Sequence, residues 1–241
     1  MLEIQNLCYS VDNEGSRKDI IKNVSLTLED NKFYVITGPN GSGKSTMAKL
    51  IAGIEKPSSG KIIFDGTDIT DMSITDRAKA GISFAFQQPV RFKGITVKDL
   101  INLAAGDEKL STASACEFLS EVGLCARDYI NREINASLSG GELKRIEIAV
   151  TLARSAKFSL FDEPEAGIDL WSFNNLIKVF EKLHDVTHGS IMIISHQEKI
   201  INIADEIILI ANGELVKKGT KEEVLPLLTG TQSFSCKYTN E

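Results

Sequence analysis

The sequence contains few cysteines, and they are scattered along the chain. Cys8, Cys116, Cys125 and Cys236 form no C-x-x-C pair, so neither a disulfide framework nor a metal knuckle is indicated. We expect all four to be reduced side chains, packed in the core or lying at the surface.

Histidine is scarcer still, with three in 241 residues. His184 and His188 stand four residues apart near the end of a predicted helix, the spacing of a helical zinc pair. No third ligand is nearby in the sequence. We therefore assign no metal to this pair and interpret the two side chains as favourable partners of a helix C-terminus.

Long apolar runs and a leader sequence are also missing. No apolar segment approaches the roughly 18–20 residues that cross a bilayer, and Met1-Leu2-Glu3 begins no signal peptide. The net charge of −6, from 27 basic and 33 acidic residues, argues against a role in coating nucleic acid. We expect a cytoplasmic protein without direct membrane insertion, which serves any membrane through another chain.

One glycine-rich segment spells G-x-x-x-x-G-K-[ST] in full. An apolar run (33–37) precedes it and a helical pattern (45–54) follows, the context that separates a phosphate loop from an ordinary glycine-rich turn. Backbone N–H groups of such a loop surround phosphate oxygens, and the helix N-terminus faces the same anion. Lys44 is predicted to reach the β- and γ-phosphates and Ser45 to hold Mg²⁺. The predicted nucleotide-binding residues are Gly38, Pro39, Asn40, Gly41, Ser42, Gly43, Lys44, Ser45 and Thr46.

A second anion site is predicted about a hundred residues later, at Leu138-Ser139-Gly140-Gly141-Glu142. Ser139 and Glu142 form a capping box, which a well-capped helix would explain without any ligand. That explanation leaves out Gly140 and Gly141, which weaken a first turn unless something must approach the backbone closely. The unpaired backbone N–H groups at the start of this helix would form an anion site that holds one phosphate group.

An apolar strand pattern (158–161) ends in two acids, Asp162 and Glu163. Acidic pairs after strands are common as helix caps, so the pair alone is weak evidence. In series with the two anion sites, Asp162 is the predicted Mg²⁺-side carboxylate and Glu163 is placed to polarise an attacking water.

In the order and spacing of these motifs, nearly the whole chain resembles the nucleotide-binding ATPases of the ABC superfamily. The resemblance implies a Q-loop glutamine at Gln87, which would sense Mg²⁺ and the water. It also implies a D-loop over 166–169 with Asp169 near the nucleotide, and a switch histidine at His196 that contacts the γ-phosphate. The cofactors implied are ATP and Mg²⁺, the metal being held by Ser45, Gln87 and Asp162.

The family's fold is α/β: a P-loop NTPase (RecA-like) core with an antiparallel β subdomain and an inserted α-helical subdomain. We expect a single ABC ATPase domain over 1–241, in which 1–87 and 136–241 form the nucleotide-binding core with the β subdomain and 88–135 the helical subdomain. Strand patterns at 2–9 and 24–28 are predicted beside the phosphate-loop strand, with a hairpin at 60–66. Helices are predicted at 97–105, after the cap Thr96, at 112–122 and at 220–228.

Three positions depart from the family pattern. The aromatic residue on which adenine stacks is replaced by Val11, and Tyr9 is either a substitute on the same strand face or unrelated to the base. Ser159 interrupts the apolar strand before Asp162, which is tolerated if its hydroxyl bonds locally. Lys144 replaces a glutamine, and we interpret it as part of a solvated helix face, the alternative being a pair with Glu163.

Two functional classes fit this family. The segment 84–90 (Phe-Ala-Phe-Gln-Gln-Pro-Val) and the run 162–169 look like the SufC-type ATPase of Suf iron–sulfur cluster assembly, whose partners are SufB/SufD-type scaffold proteins. Transporter subunits more often read Gln-x-x-x-Leu-Phe-Pro from Gln87, and this chain lacks that Leu and Pro. The SufC-like reading is therefore favoured, and an ATP-binding subunit that docks transporter permease subunits is the alternative. Phe92 is either an anchor for the partner or packed under its own loop.

The family arrangement also implies an ATP-dependent homodimer. Two chains, related head to tail by a two-fold axis, would sandwich two ATP molecules between one chain's phosphate loop and the other's residues 139–141. Closing and reopening this pair would move whatever is docked on the helical subdomains.

Overall fold

The computed structural model describes residues 1–13, 16–106, 111–135, 137–168, 170–187 and 189–231. Asp169 of the predicted D-loop lies outside these ranges, as do His188 and Cys236. The strands are β1 (Leu2–Asn13), β2 (Ser16–Leu28), β3 (Phe33–Thr37), β4 (Ser59–Phe64), β5 (Thr67–Asp68), β6 (Ile82–Ala85), β7 (Phe158–Asp162), β8 (Ser190–Ile194), β9 (Glu206–Ala211) and β10 (Glu214–Gly219). The helices are α1 (Lys44–Ala52), α2 (Ile74–Ala80), α3 (Val97–Ala105), α4 (Thr112–Glu121), α5 (Ala126–Tyr129), α6 (Gly140–Arg154), α7 (Leu170–Thr187), α8 (Glu198–Asn202) and α9 (Lys221–Thr231).

A six-stranded sheet forms the centre of the molecule, in the order β10-β9-β3-β8-β7-β6. Its strands from β9 to β6 are parallel, and only β10 is antiparallel. β3, β7 and β8 are buried at every residue, as expected of parallel strands covered on both faces. Because parallel strands all end at one edge, the segments that follow β3, β6, β7 and β8 meet there. The predicted α/β class is confirmed.

The first two strands do not join this sheet. β1 and β2 pair with each other and with β4 and β5 in a separate antiparallel sheet, in the order β2-β1-β4-β5. The predicted strands 2–9 and 24–28 are also too short, because β1 and β2 continue into a polar hairpin in which Ser10 pairs with Asp19 and Asp12 with Arg17. That hairpin lies largely exposed, so it lacks the alternating apolar pattern by which a half-buried strand is predicted.

Two apolar cores cover the two faces of the central sheet. Alternate residues of β3 point in opposite directions: Phe33 and Val35 belong to one core, Tyr34 and Ile36 to the other. The first core also contains residues of α3, α4, α6 and α7, so the helices between β6 and α6 share it with the sheet. The second core joins the central sheet to α1 and to the antiparallel sheet.

Local signals predicted α3 at its observed bounds and the tight turn between β4 and β5. Thr96 caps α3 in a reciprocal capping box with Asp99, and α3 covers the predicted 97–105. Asp65 and Gly66 both have positive φ, 49° and 77°, which matches the tight turn predicted between β4 and β5. By contrast α2, α5 and β10 carry no clear pattern. They span only seven, four and six residues, too few for periodicity to be recognised.

Arg77 on α2 is buried, with 1% of its surface exposed. Its Nη1 donates to the carbonyls of Leu50 (2.6 Å) and Ile51 (2.9 Å), in the last turn of α1, and its Nη2 donates to that of Thr70 (2.8 Å). A guanidinium here satisfies carbonyls that the helix itself leaves unpaired, and it interacts favourably with the negative end of the helix dipole. Arg77 therefore secures the C-terminal end of the helix that follows the phosphate loop.

Replacing Arg77 with Met should lower the free energy of unfolding by about 3 kcal/mol, since buried carbonyls lose donors that water cannot replace. Lys79→Met, at an exposed position on the same helix, is the matched control and should change stability by less than about 0.5 kcal/mol. Urea unfolding followed by circular dichroism measures both. Equal midpoints for the two variants would contradict the role of Arg77.

Candidate functional site

The loop between β3 and α1 can be formed only with glycine at two positions. Gly38 has a φ of 139°, and a Cβ there would lie 1.9 Å from the carbonyl oxygen of Ile210. Gly43 has a φ of 99°, and a Cβ there would lie 2.9 Å from the carbonyl oxygen of Ile20. Both φ values are in the region that favours glycine. The loop is thus pressed between β9 and β2, with its tip, at Pro39 and Asn40, exposed.

The N-terminus of α1 is bare. Gly43 occupies the cap position without a side-chain hydrogen bond, and the first turn contains no acid. The Ser42 hydroxyl is buried without a hydrogen-bond partner among the described residues. Thr46 lies half-buried on this first turn. Unpaired donors at the positive end of a helix form an anion site.

Lys44 lies across this loop. Its Nζ donates to the carbonyls of Gly38 (2.8 Å) and Pro39 (2.9 Å), and no carboxylate within the described residues forms an ion pair with it. Burial lowers the pKa of Lys44 from its usual value, although Glu163 and Asp162 oppose the shift. A desolvated cation held only by carbonyls fits a loop that receives phosphate oxygens.

Ser45 and Asp162 come together from opposite sides of the site. The Ser45 hydroxyl donates to Asp162 Oδ1 at 2.9 Å. Burial raises the pKa of Asp162, and the hydrogen bond from Ser45 partly offsets this shift. A hydroxyl and a carboxylate at this distance are the kind of hard oxygen ligands that Mg²⁺ takes beside a phosphate.

Glu163 and Gln87 also meet at this edge, from β7 and β6. Gln87 Nε2 donates to Glu163 Oε2 at 2.6 Å. Glu163 has a φ of 45°, in the left-handed region, and its N–H donates to the Ile194 carbonyl of β8. The non-glycine positive φ places the carboxylate in the turn after the strand, where backbone strain often marks a functional position.

His196 follows β8 on the other side of Glu163. Its Nδ1 lies 3.5 Å from Thr37 Oγ1, at the end of β3. Partial desolvation and the neighbouring Lys44 lower the pKa of His196 from its usual value, with Glu163 opposing them. The structure therefore brings the phosphate loop, Asp162, Glu163, Gln87 and His196 to one sheet edge.

The second predicted anion site is built from other elements. Ser139 caps α6 and forms the predicted capping box: its hydroxyl accepts from the Glu142 N–H, and Glu142 accepts from the Ser139 N–H. The Tyr129 hydroxyl also donates to Glu142, and these bonds lower the pKa of Glu142 to about 2. Within the described part of the chain, no hydrogen bond joins 139–141 to the phosphate loop.

Gly140 and Gly141 face open space. A Cβ added at either position would meet nothing within 4 Å. Packing within the chain therefore gives no reason for glycine at the start of α6, where glycine weakens a helix. The exposed amides are free for a group from outside the chain.

The interpretation of Lys144 as part of a solvated face is wrong. Its side chain is 1% exposed and pairs with Glu147 at 3.0 Å. Lys144 Nζ also donates to the Phe86 carbonyl, while the Phe86 N–H donates to Glu147 Oε1 at 2.9 Å. The alternative pairing with Glu163 is not seen either, because Gln87 holds that carboxylate. The spacing of residues in α6 could not show that Lys144 is buried, since the residue that its Nζ contacts, Phe86, directly follows β6.

The other two departures are also explained. Tyr9 donates to Glu55 at 2.7 Å, just beyond the C-terminal end of α1 and about 13 Å along that helix from the phosphate loop. Val11 pairs with Lys18 in the polar hairpin. Ser159 does not bond locally: its hydroxyl accepts from Ser83 on β6 at 3.1 Å.

His184 lies 3.6 Å from Asp205 and packs edge-on against Phe33.

Comparison with known proteins identifies the family of this chain. The family model described as ABC transporter matches residues 21–166. The chain belongs to the ABC transporter ATPase family. As a member, it is an ATP-binding ABC cassette and an ATP hydrolase. Among the described residues, none of the helices has the length and apolar character that a membrane crossing requires.

Two curated relatives cover most of the chain. The ABC transporter ATP-binding protein MJ0035 of Methanocaldococcus jannaschii is 41% identical over 214 residues, which is 86% of this chain and 85% of the relative. The probable ATP-dependent transporter ycf16 of Pyropia yezoensis is 35% identical over 235 residues, 91% of each chain. Both names refer to transport.

A solved structure of an ABC cassette has the same fold. Dimeric MJ0796, a bacterial ABC transporter cassette, superposes with a TM-score of 0.82 at 25% identity, over 91% of this chain and 98% of that one. The ABC ATPase fold predicted from the motifs is thereby confirmed, with its antiparallel sheet and its additional helices.

Glu163→Gln should lower the rate of ATP hydrolysis about 10²–10⁴-fold, the usual contribution of a general base. ATP affinity should stay within a few-fold of normal, because the amide retains the size and hydrogen bonding of the side chain. Phosphate release and titration with a fluorescent ATP analogue separate the two effects. Lys44→Ala is the contrasting variant and should weaken nucleotide binding itself. Near-normal turnover of Glu163→Gln would remove Glu163 from this role.

Proposed function

We propose that the residues at the sheet edge divide the work of ATP hydrolysis. Lys44 and the amides of the loop bind the β- and γ-phosphates, and His196 contacts the γ-phosphate. Ser45, Asp162 and Gln87 provide the ligands for Mg²⁺, which would neutralise charge on the phosphates when bound. Glu163 polarises the attacking water. The uncompensated Lys44 and the Ser45–Asp162 pair support this assignment.

The observation that carries the next step is the open N-terminus of α6. A Cβ added at Gly140 or Gly141 would meet no described atom within 4 Å, and the capping box fixes the start of this helix. We propose that residues 139–141 bind the γ-phosphate of an ATP held by the phosphate loop of a second copy. The dimeric structure of MJ0796 supports a homodimer, and we propose that its two chains lie head to tail with Asp169 near the nucleotide.

Within each chain we propose that 88–135, which contains α3, α4 and α5, is the helical subdomain that carries the partner. The remaining segments, 1–87 and 136–241, would form the nucleotide-binding core with the β subdomain. The shared apolar core makes the two parts move together locally, so the ATP-driven motion is one of whole chains about the dimer axis.

A groove beside α3 and α6 is the proposed docking surface. Three aromatic or branched side chains line it while remaining partly exposed: Phe86 (38%), Val90 (47%) and Phe92 (36%). Phe92 therefore reaches the surface, which fits the predicted anchor better than a residue packed under its loop. Phe86 belongs to both the groove and the segment that ends in Gln87, so a partner seated here touches the strand that positions Gln87.

The first candidate partner is a membrane permease. The relatives named above are transporter ATP-binding proteins, as is the sulfate/thiosulfate import protein CysA of Synechocystis, which is 34% identical over 206 residues. We therefore propose that the chain is the cytoplasmic ATP-binding subunit of an ABC membrane transporter.

The second candidate is the SufC-type role with a SufB/SufD-type scaffold. Its support is local: of the segment 84–90 that carries part of that resemblance, Phe84, Phe86, Pro89 and Val90 line the docking groove. Transport ATPases often carry glutamine at the position of Lys144. Here the Lys144 Nζ donates to the Phe86 carbonyl, beside the same groove. We expect a sequence difference between the two functional classes at the surface that selects the partner.

The proposed dimer predicts a nucleotide-dependent change of mass. With Glu163→Gln blocking hydrolysis, added ATP should convert the monomer into a dimer in sedimentation velocity, and exchange into ADP should reverse it. Adding Gly140→Glu should abolish the shift, because a carboxylate opposes the phosphate across the interface. A carboxylate in the first turn of a helix does not destabilise the free chain. Gly140→Ala, which adds a methyl group without a charge, is the control for the added side chain. A dimer that forms equally without nucleotide would contradict the proposal.

The groove predicts how the two candidates can be told apart. Phe92→Asp should abolish partner binding and partner-stimulated turnover, while basal ATP hydrolysis stays within a few-fold of normal. Leu103→Asp is the matched control, since Leu103 is 74% exposed on α3 but lies outside the groove. Co-purification of a detergent-solubilised permease supports the first candidate and that of a SufB/SufD-type scaffold the second. Loss of basal activity in Phe92→Asp would instead make Phe92 part of the core.

A further inference from the structure

The carboxylate of Glu165 lies beside the end of the strand that carries His196. The Ser195 hydroxyl donates to Glu165 Oε1 at 2.5 Å, and Ser195 is fully buried. Glu165 Oε2 is buried as well and has no hydrogen-bond partner among the described residues. No described cation forms an ion pair with this carboxylate, and burial raises its pKa.

Ser195 holds the backbone on both sides of His196. Its own N–H donates to the Ile36 carbonyl of β3 at 3.1 Å, and its hydroxyl accepts from the Gln197 N–H at 3.0 Å. Among the residues that the structure describes, the imidazole has one polar contact, at 3.5 Å from Thr37. The direction of the His196 side chain therefore depends on how this short segment is fixed, and Glu165 fixes it through Ser195.

Glu165 is at the same time part of the turn that carries Glu163. The Ala166 N–H donates to the Glu163 carbonyl at 3.0 Å, and the Ile168 N–H donates to the Glu165 carbonyl at 3.2 Å. The Glu165 side chain thus connects the turn after β7 to the turn after β8. Glu163 stands in one of these turns and His196 in the other.

We infer that Glu165 is a positioning residue for ATP hydrolysis, which keeps Glu163 and His196 in register on the same phosphate by hydrogen-bonding Ser195. Burial of this carboxylate is unfavourable for stability, and we attribute its presence to this positioning role. A displacement of about 1 Å at a reacting group can lower a rate about 100-fold. This positioning role requires a hydrogen-bond acceptor at Oε1 of residue 165, and it does not require a negative charge there.

The test compares Glu165→Ala, Glu165→Gln, Ser195→Ala and the double alanine variant in steady-state ATP hydrolysis. We expect Glu165→Ala and Ser195→Ala each to lower kcat about 10- to 100-fold, with KM within about threefold because ground-state binding is unaffected. The double variant should be no slower than the slower single one, since both remove the same bond. Glu165→Gln keeps the acceptor and should restore kcat to within about threefold.

Glu198→Gln, an exposed carboxylate on α8, is the control and should leave kcat unchanged. The inference is overturned if Glu165→Ala has normal kcat, if KM rises while kcat does not fall, if the losses multiply in the double variant, or if Glu165→Gln is as slow as the alanine. Thermal melting shows which variants fold. If Glu165→Ala does not fold, a normal kcat in Ser195→Ala overturns the inference, and a lowered kcat with unchanged KM supports it.

Discussion

The burial of three adjacent parallel strands on both faces is the constraint on which the rest of the structure depends. β3, β7 and β8 present no residue to solvent, so their polar neighbours in sequence must lie at the strand ends. Because the strands are parallel, the phosphate loop, the acidic pair and His196 all leave the sheet at one edge. The site is a consequence of the sheet, not of contacts among the site residues.

That edge keeps charged groups that form no ion pair among the described residues. There Lys44 Nζ donates to two carbonyls, Asp162 accepts from the Ser45 hydroxyl, and the α1 N-terminus has no side-chain cap. Each arrangement lowers the stability of the free protein, because buried polar groups are left partly unsatisfied. A nucleotide with its metal would supply charges of opposite sign to these groups. The groups that lower the stability of the free chain would then favour nucleotide binding, and the bound nucleotide would stabilise the folded chain.

A line of direct contacts connects the groove beside α3 and α6 with the carboxylate of Glu163. The buried Lys144–Glu147 pair holds both backbone polar groups of Phe86, and the next residue, Gln87, bonds to Glu163. Removing two charges from water is unfavourable unless further hydrogen bonds compensate, and the Phe86 N–H and carbonyl provide them. The pair thus joins α6 to the segment after β6, directly beside Gln87.

The sequence alone determined those parts whose conformation is set within a few residues. The glycines of the phosphate loop, the Ser139–Glu142 capping box and the Thr96 cap are such cases, since turns and caps depend on local dihedral angles and nearby donors. Only the tertiary structure decided the surroundings of Lys144, Tyr9 and Glu165. Their partners, Phe86, Glu55 and Ser195, are separated from them by 30 to 58 positions in the chain. Which distant segments meet is decided by packing of the two cores, and no local pattern encodes it.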